Sequence, residues 1–127
     1  GLVHMLGLGD DVLIPGYVDN PYAYMSRAAV VVLCSRWEAL PTVLIEAMAL
    51  HTPVVSTDCD FGPREILAGG EYGKLTPVGD VEALARGICT TISTGGPPVP
   101  DEALEPFRFE TALNQYTTIL LGENRHG

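Results

Sequence analysis

Two carboxylates separated by seven residues, Glu38 and Glu46, are the side chains of this sequence best suited to chemistry. From residue 43 to residue 50 the chain is apolar except for Glu46, which predicts a buried helix. A carboxylate in such a helix is costly unless it is paired or hydrogen-bonded, and no basic residue nearby in the sequence supplies a partner. Glu38 lies in the turn before the helix, beside the only tryptophan. The two carboxylates therefore flank a helix N-terminus, which is itself an anion site.

The spacing of the two carboxylates indicates what they could bind. In one continuous helix, eight residues would place them roughly 12 Å apart, which is too far for a glycosidase pair acting on one bond. The distance suits two contacts along an extended ligand such as a sugar-nucleotide, because carboxylates accept hydrogen bonds from vicinal hydroxyls. Backbone N–H groups of residues 40–43 would then face the phosphates. The alternative is a solvated Glu38 and a Glu46 that reaches water.

Two further side chains leave alternatives open. Arg64 follows Gly62-Pro63 at a predicted helix start, where it is a candidate phosphate contact or a member of an ordinary surface ion pair. Cys34, at the end of an apolar run, is expected to be buried and inert.

Length, charge and cysteine content exclude several classes of protein. The 127 residues suffice for one domain, and the hydrophobic content of 46% suits a packed core. A net charge of −9 argues against binding to nucleic acid, which requires basic patches. Three cysteines without finger-like spacing indicate reduced thiols in a cytosolic setting and argue against a zinc site. The sequence contains no apolar run long enough to cross a membrane.

The order of apolar runs and helical patterns predicts an α/β fold. Short apolar strands at residues 12–14, 29–33, 53–56 and 73–76 alternate with helices, which is typical of a Rossmann-like parallel sheet with helices on both faces. In such folds ligands bind beyond the carboxyl ends of the strands, where the loops at residues 15–20, 34–41 and 56–63 collect the polar side chains. We expect one partial domain over residues 1–121 and a flexible tail over residues 122–127.

The stretch RWEALPTVLIEAMA at residues 36–49 resembles the Glu-x7-Glu signature of the group 1 retaining glycosyltransferases of the GT-B fold. The similarity continues through residues 52–59, 62–67 and 73–80, and it includes residues 16–21. The resemblance implies a partial C-terminal, nucleotide-sugar-binding half of a GT-B fold. Two departures are Ala39 and His51, which stand where glycine is common in the family.

The resemblance also implies a role for each site residue. Glu38 would be catalytic and contact the transferred sugar, and Glu46 would bind the ribose of the donor. The remaining donor contacts would be backbone amides on the phosphates and a loop packed on the base, with these residues: Ala39, Leu40, Thr42, Val43, Tyr17 and Val18. Members of the family transfer a sugar with retention, generally without a required metal. This implies no cofactor, a UDP- or GDP-linked donor, a polysaccharide or lipid-linked acceptor, and a cytoplasmic location at the inner face of the membrane.

Parts of the family's architecture lie outside this sequence. The resemblance aligns the chain after two strand–helix units of the C-terminal domain, and after the whole N-terminal acceptor domain. We therefore expect that the isolated chain is inactive, and that a strand at residues 12–14 lacks its neighbour. Two alternatives stay open, namely an inactive remnant or interaction module and a sugar-nucleotide 2-epimerase of the same architecture. The carboxylate spacing together with the run at residues 62–65 favours the transferase.

Overall fold

A three-stranded parallel sheet forms the centre of the chain in the computed structural model, which describes residues 1–121. In chain order the elements are the following: α1 (Leu2–Met5), α2 (Pro21–Met25), β1 (Val31–Leu33), α3 (Thr42–Ala49), β2 (Val54–Thr57), α4 (Pro63–Ile66), β3 (Lys74–Thr76), α5 (Val81–Thr94) and α6 (Phe109–Leu121). Two 3₁₀ helices, Ala68–Gly70 and Asp101–Phe107, join them. The strand order is β1-β2-β3, so β2 is central, and all four of its residues are buried.

Helices cover both faces of this sheet. Successive residues of a strand point to opposite faces, so the side chains of Val54 and Val55 lie on opposite faces of the sheet. Val54 belongs to the core cluster that includes Leu44 of α3 and Ile66 of α4. Val55 faces α5, where a Cβ added to Gly87 would lie 3.5 Å from Val55 Cγ1. The predicted α/β Rossmann-like sheet with helices on both faces is therefore confirmed.

The predicted strand at residues 12–14 is wrong. These residues run as an irregular segment between α1 and α2, and Leu13 and Ile14 are both more than three-quarters exposed. A strand exists only where a neighbour accepts and donates its backbone hydrogen bonds. Within residues 1–121 every strand pairing lies among β1, β2 and β3, so this apolar run has nothing to pair with.

The other predicted elements form with small shifts at their ends. Asn20 caps α2 by accepting a hydrogen bond from Ala23 N–H at 3.3 Å, and Asp80 caps α5 in the same way from Ala83 N–H at 2.8 Å. The predicted flexible tail at residues 122–127 lies outside the described residues. Among the described helices, none is both long enough and apolar enough to span a bilayer.

Candidate functional site

The loop at residues 34–41, which follows β1, meets the loop that follows β2 at the start of α3. Gly62 has φ +83, and a Cβ added there would lie 2.5 Å from Pro41 Cδ and 3.1 Å from Ala39 O. Only a residue without a side chain allows this approach, and glycine also adopts the left-handed backbone at no steric cost. The two loops therefore form one wall at the carboxyl end of the sheet, as expected for a ligand site in a parallel α/β fold.

Glu38 is held in this wall. The side chain is half-buried, and its Oε1 accepts a hydrogen bond from Ser35 Oγ at 2.5 Å. The buried hydroxyl of Thr57, at the end of β2, donates to the backbone oxygen of Ser35 at 2.6 Å. Glu38 is therefore fixed to the end of the sheet, and the alternative of a freely solvated loop charge does not apply.

Glu46 lies in the second turn of α3 and is half-buried. The prediction that this helix is buried on every side is wrong, because α3 covers the sheet with one face only. Thr42 and Ala49, four residues before and three after Glu46, share its side of the helix and are exposed. Among the described residues, none donates a hydrogen bond to the Glu46 carboxylate. The carboxylate needs no protein partner, because it opens to solvent and is available to a ligand.

The N-terminus of α3 lies between the two carboxylates and has no side-chain cap. Pro41 is the N-cap residue, and its oxygen accepts from Leu44 N–H at 3.0 Å. Within residues 1–121, no acceptor receives the amides of the exposed Leu40 and Thr42 or of the half-buried Val43. Unsatisfied amides at a helix N-terminus attract anions. These three amides and the exposed Ala39 therefore lie together at the start of α3, and their predicted contact with the donor phosphates stays a prediction.

Arg64 of α4 lies in an ion pair rather than free in the loop. Its Nε donates to Asp58 Oδ1 at 3.1 Å, and its Nη2 contacts Asp58 Oδ2. Asp58 follows β2 directly, and its backbone N–H donates to Thr76 O at 2.7 Å. The surface ion pair that the sequence left open is therefore formed. A phosphate at this place would have to share Arg64 with the carboxylate, so the predicted phosphate contact stays a prediction.

The predicted base-binding residues Tyr17 and Val18 lie in the irregular segment before α2. Val18 is half-buried, but the ring of Tyr17 is 90% exposed and packs against little of the chain. The structure therefore does not hold the Tyr17 ring against the two carboxylates, and its predicted role stays a prediction.

All three cysteines are free thiols, and their exposure differs from the prediction. Cys34 is exposed, contrary to expectation, because β1 ends at Leu33 and Cys34 already belongs to the loop. Cys59 is the buried one. Burial raises the pKa of the Cys59 thiol, and the carboxylates of Glu38, Asp60 and Asp58 raise it further, against the lowering effect of a backbone hydrogen bond. In the part of the chain that the structure describes, no group of three potential metal ligands comes together.

Sequence reasoning missed three residues of this wall: Ser35, Thr57 and Asp58. For Ser35 a signal existed, since Ser35 and Glu38 have the Ser-x-x-Glu spacing of side chains that meet at helix starts. Thr57 becomes visible only when β2 is placed beside β1. Asp58 becomes visible only when the loop after β2 brings Arg64 back to it and β3 lies beside β2.

Comparison with known proteins shows the family of this chain. The family model of the glycosyl transferases group 1 matches residues 2–94. An uncharacterized glycosyltransferase of Methanocaldococcus jannaschii is 44% identical over an alignment of 88 residues, and the alignment covers 59% of this chain and 22% of that protein. The N-acetylgalactosamine-N,N'-diacetylbacillosaminyl-diphospho-undecaprenol 4-alpha-N-acetylgalactosaminyltransferase of Campylobacter jejuni is 34% identical over 91 residues, which are 72% of this chain and 25% of that protein.

A solved structure supports the fold. Anabaena HepE in complex with UDP superposes with a TM-score of 0.77 at 27% identity, over 95% of this chain and 35% of that one. The chain spans 22% and 25% of the length of the two relatives named above. Because the family model covers most of the sequence, this chain belongs to the group 1 glycosyl transferases.

Proposed function

We propose that this chain supplies the donor half-site of a retaining glycosyltransferase, which moves a sugar from a UDP- or GDP-linked donor to a polysaccharide or glycolipid. The observation that carries the proposal is the uncapped N-terminus of α3 between two carboxylates, Glu38 and Glu46. A nucleotide-sugar has hydroxyls at both ends and a diphosphate between them. The two carboxylates can accept hydrogen bonds from the hydroxyls, and the amides at the start of α3 can donate to the diphosphate.

The sugar end of the donor would meet Glu38. Its Oε1 accepts from Ser35, and among the described residues no donor reaches Oε2. That free oxygen can accept a hydrogen bond from a hydroxyl of the transferred sugar. Glu46 would accept from the ribose hydroxyls at the other end of the ligand, since its carboxylate is open to solvent on the exposed side of α3.

The diphosphate would lie against the amides of Leu40, Thr42 and Val43, with Ala39 beside them. During transfer the bond between the anomeric carbon and the phosphate oxygen breaks, and the leaving diphosphate takes the electron pair. The acceptor oxygen bonds to the anomeric carbon, and its proton passes to the oxygen of the leaving diphosphate. Prearranged amides and a helix dipole stabilise the charge that develops on the leaving group, which is the work that a metal ion does elsewhere. Arg64 is a second group that could stabilise the negative charge on the leaving diphosphate. The proposal includes no metal cofactor.

One relative supports the proposed acceptor, and the free thiols support the proposed location. The name of the Campylobacter jejuni relative includes a diphospho-undecaprenol acceptor, which supports a lipid-linked acceptor here. We place the reaction on the cytoplasmic side of the membrane, in agreement with three free thiols.

Calorimetric titration of the protein encoded by the whole gene with UDP and GDP tests the proposal. Glu46→Gln should weaken binding of the preferred nucleotide about tenfold or more, since a hydrogen bond to a charged group contributes about 1.5–3 kcal/mol. Glu38→Gln should leave nucleotide binding nearly unchanged but lower the rate of transfer strongly, to a residual rate that can still be measured. Glu110→Gln, an exposed carboxylate at the start of α6, is the matched control. Failure to bind either nucleotide, or equal binding by the Glu46 and Glu110 variants, would overturn the proposal.

A further inference from the structure

A chain of hydrogen bonds leads from the buried sheet to the Glu38 carboxylate. Thr57, the last residue of β2, is 4% exposed. Its Oγ1 lies 2.6 Å from the backbone oxygen of Ser35 and 3.5 Å from that of Leu33. Because a hydroxyl has one proton to donate, the short contact identifies Ser35 as the acceptor. The buried sheet therefore fixes the backbone of the loop three residues before Glu38.

Ser35 continues the chain through its side chain. Its hydroxyl has a single proton, and that proton goes to Glu38 Oε1 at 2.5 Å. A hydrogen bond to an ionised carboxylate is shorter and stronger than one between neutral groups. The carboxylate is therefore restrained at one oxygen, and the other oxygen is directed away from Ser35.

The Ser-x-x-Glu spacing has no helix to cap here. In a capping box the serine accepts a hydrogen bond from a helix amide, but α3 begins at Thr42, seven residues after Ser35. The N-cap residue of α3 is Pro41, which carries no hydroxyl, so Ser35 takes no part in capping this helix. The Ser35 hydroxyl orients a carboxylate instead, which an ordinary loop does not require.

From these contacts we infer that Ser35 and Thr57 are positioning residues for Glu38. Ser35 would set the direction in which Glu38 presents its free oxygen to the sugar, and Thr57 would fix the backbone from which Ser35 acts. The inference rests on the proposed function, because it assigns Glu38 to the transferred sugar.

Steady-state kinetics of the protein encoded by the whole gene test the inference. The readout is release of UDP or GDP from UDP-glucose, UDP-N-acetylglucosamine and GDP-mannose. Ser35→Ala should lower kcat about 10- to 100-fold with little change in the KM of the donor, since a misplacement of about 1 Å costs up to about 100-fold. Ser35→Thr should recover most of the loss, because it keeps the hydroxyl. In a Glu38→Gln background, Ser35→Ala should have almost no further effect, since coupled residues are not additive.

Thr57→Val is the second variant, and the chain offers a matched control for it. Thr76 is paired directly with Thr57 across β2 and β3, is equally buried, and donates to Ser56 O at 3.4 Å rather than to the site loop. Thr57→Val should lower kcat and Thr57→Ser should restore it, while Thr76→Val should not change kcat. Both valine variants should lose similar stability, because each one loses a single hydrogen bond of a buried hydroxyl.

The outcomes separate this inference from the proposed function. If the wild type does not turn over any donor, or if Glu38→Gln keeps full turnover, the proposed function fails. Crystal structures of the wild type and Ser35→Ala then decide the inference by geometry. Loss of the single Glu38 side-chain conformer in the variant supports it, and an unchanged Glu38 conformer overturns it. With an active wild type, an equal loss of kcat in Thr57→Val and Thr76→Val, or full additivity of Ser35→Ala with Glu38→Gln, also overturns it.

Discussion

Gly62 lies so close to Pro41 that a Cβ at position 62 would approach Pro41 Cδ to 2.5 Å. This contact joins the loop after β2 to the start of α3, where the donor phosphates are proposed to bind. Gly62→Ala should therefore displace Pro41 and weaken UDP or GDP binding about tenfold or more, with an overpacking cost of about 1–3 kcal/mol in stability. Calorimetric titration and denaturant unfolding measure the two effects.

Gly79 provides the control for that substitution. Its φ of +82 almost equals the +83 of Gly62, but a Cβ at position 79 would meet nothing within 4 Å. Alanine at either position strains the backbone by about 1 kcal/mol, and only position 62 adds the collision. Equal nucleotide affinity in the two variants would show that the loop contact does not shape the site.

The ion pair between Arg64 and Asp58 leads to a second prediction. Arg64 is 66% exposed, so the pair should contribute less than about 1 kcal/mol to stability. If Arg64 also reaches the donor phosphates, Arg64→Ala should weaken UDP binding about tenfold, because a charge-assisted contact to phosphate is lost. Binding of uridine, which has no phosphate, should not change.

Asp58→Asn separates the two roles of Arg64. This variant removes the competing charge, so UDP binding should be equal or tighter. If Arg64→Ala binds UDP as well as the wild type, Arg64 serves the ion pair alone.

The sequence was sufficient to predict the layered α/β fold, because burial on both faces of a parallel sheet leaves continuous apolar runs such as residues 53–56. The same signal failed at residues 12–14. An apolar run specifies burial but does not specify a neighbour, and within the described chain no strand lies beside it. The bounds of α3 were predicted almost to the residue. Its solvent-exposed face was not predicted, because the residues around Glu46 are apolar and do not indicate which face packs on the sheet.

Only the part of the site whose residues lie close together in the sequence could be predicted. Glu38 and Glu46 stand in one continuous stretch, and the uncapped helix start between them follows from the same stretch. Thr57 is 22 residues away from Ser35, and their contact joins a side chain to a backbone oxygen. Such a contact leaves no pattern in residue types, because almost any residue supplies a backbone oxygen. It appears only when the strand register is known.

Gly73 lies so close to β2 that the addition of one methyl group at this position should lower the stability of the fold. A Cβ at Gly73 would collide with Val54 Cγ2 and lie 3.1 Å from Val54 O, although the Gly73 backbone is not left-handed. Gly73→Ala should destabilise the fold by about 1–3 kcal/mol through overpacking of the core. Urea unfolding measures the loss, and Val54→Ala in the same chain should partly restore stability by making room.

Gly9→Ala is the matched control, since Gly9 is not left-handed either and its Cβ would meet nothing within 4 Å. A loss in Gly9→Ala as large as that in Gly73→Ala would contradict the packing explanation.

The buried Cys59 thiol predicts a decline of stability at alkaline pH. Burial, with the nearby carboxylates, raises its pKa in the folded state above the ordinary value of 9.0. A group whose folded pKa is raised stabilises the fold fully below its unfolded pKa, and this contribution is lost as pH rises through the folded pKa. The free energy of unfolding should therefore fall above about pH 9, by at most about 1.4 kcal/mol per pH unit for this thiol.

Urea unfolding between pH 7 and pH 10.5 measures that slope, and comparison with Cys59→Ala removes the contributions of other titrating groups. The variant should lose stability less steeply above pH 9 than the wild type. Iodoacetamide labelling of the native protein at pH 8, followed by mass spectrometry, gives an independent measurement, because the thiolate is the reactive form. The exposed Cys34 and Cys89 should be labelled well before Cys59. Labelling of Cys59 as fast as Cys34, or parallel pH profiles of wild type and variant, would show that the buried thiol is not protected in the folded state.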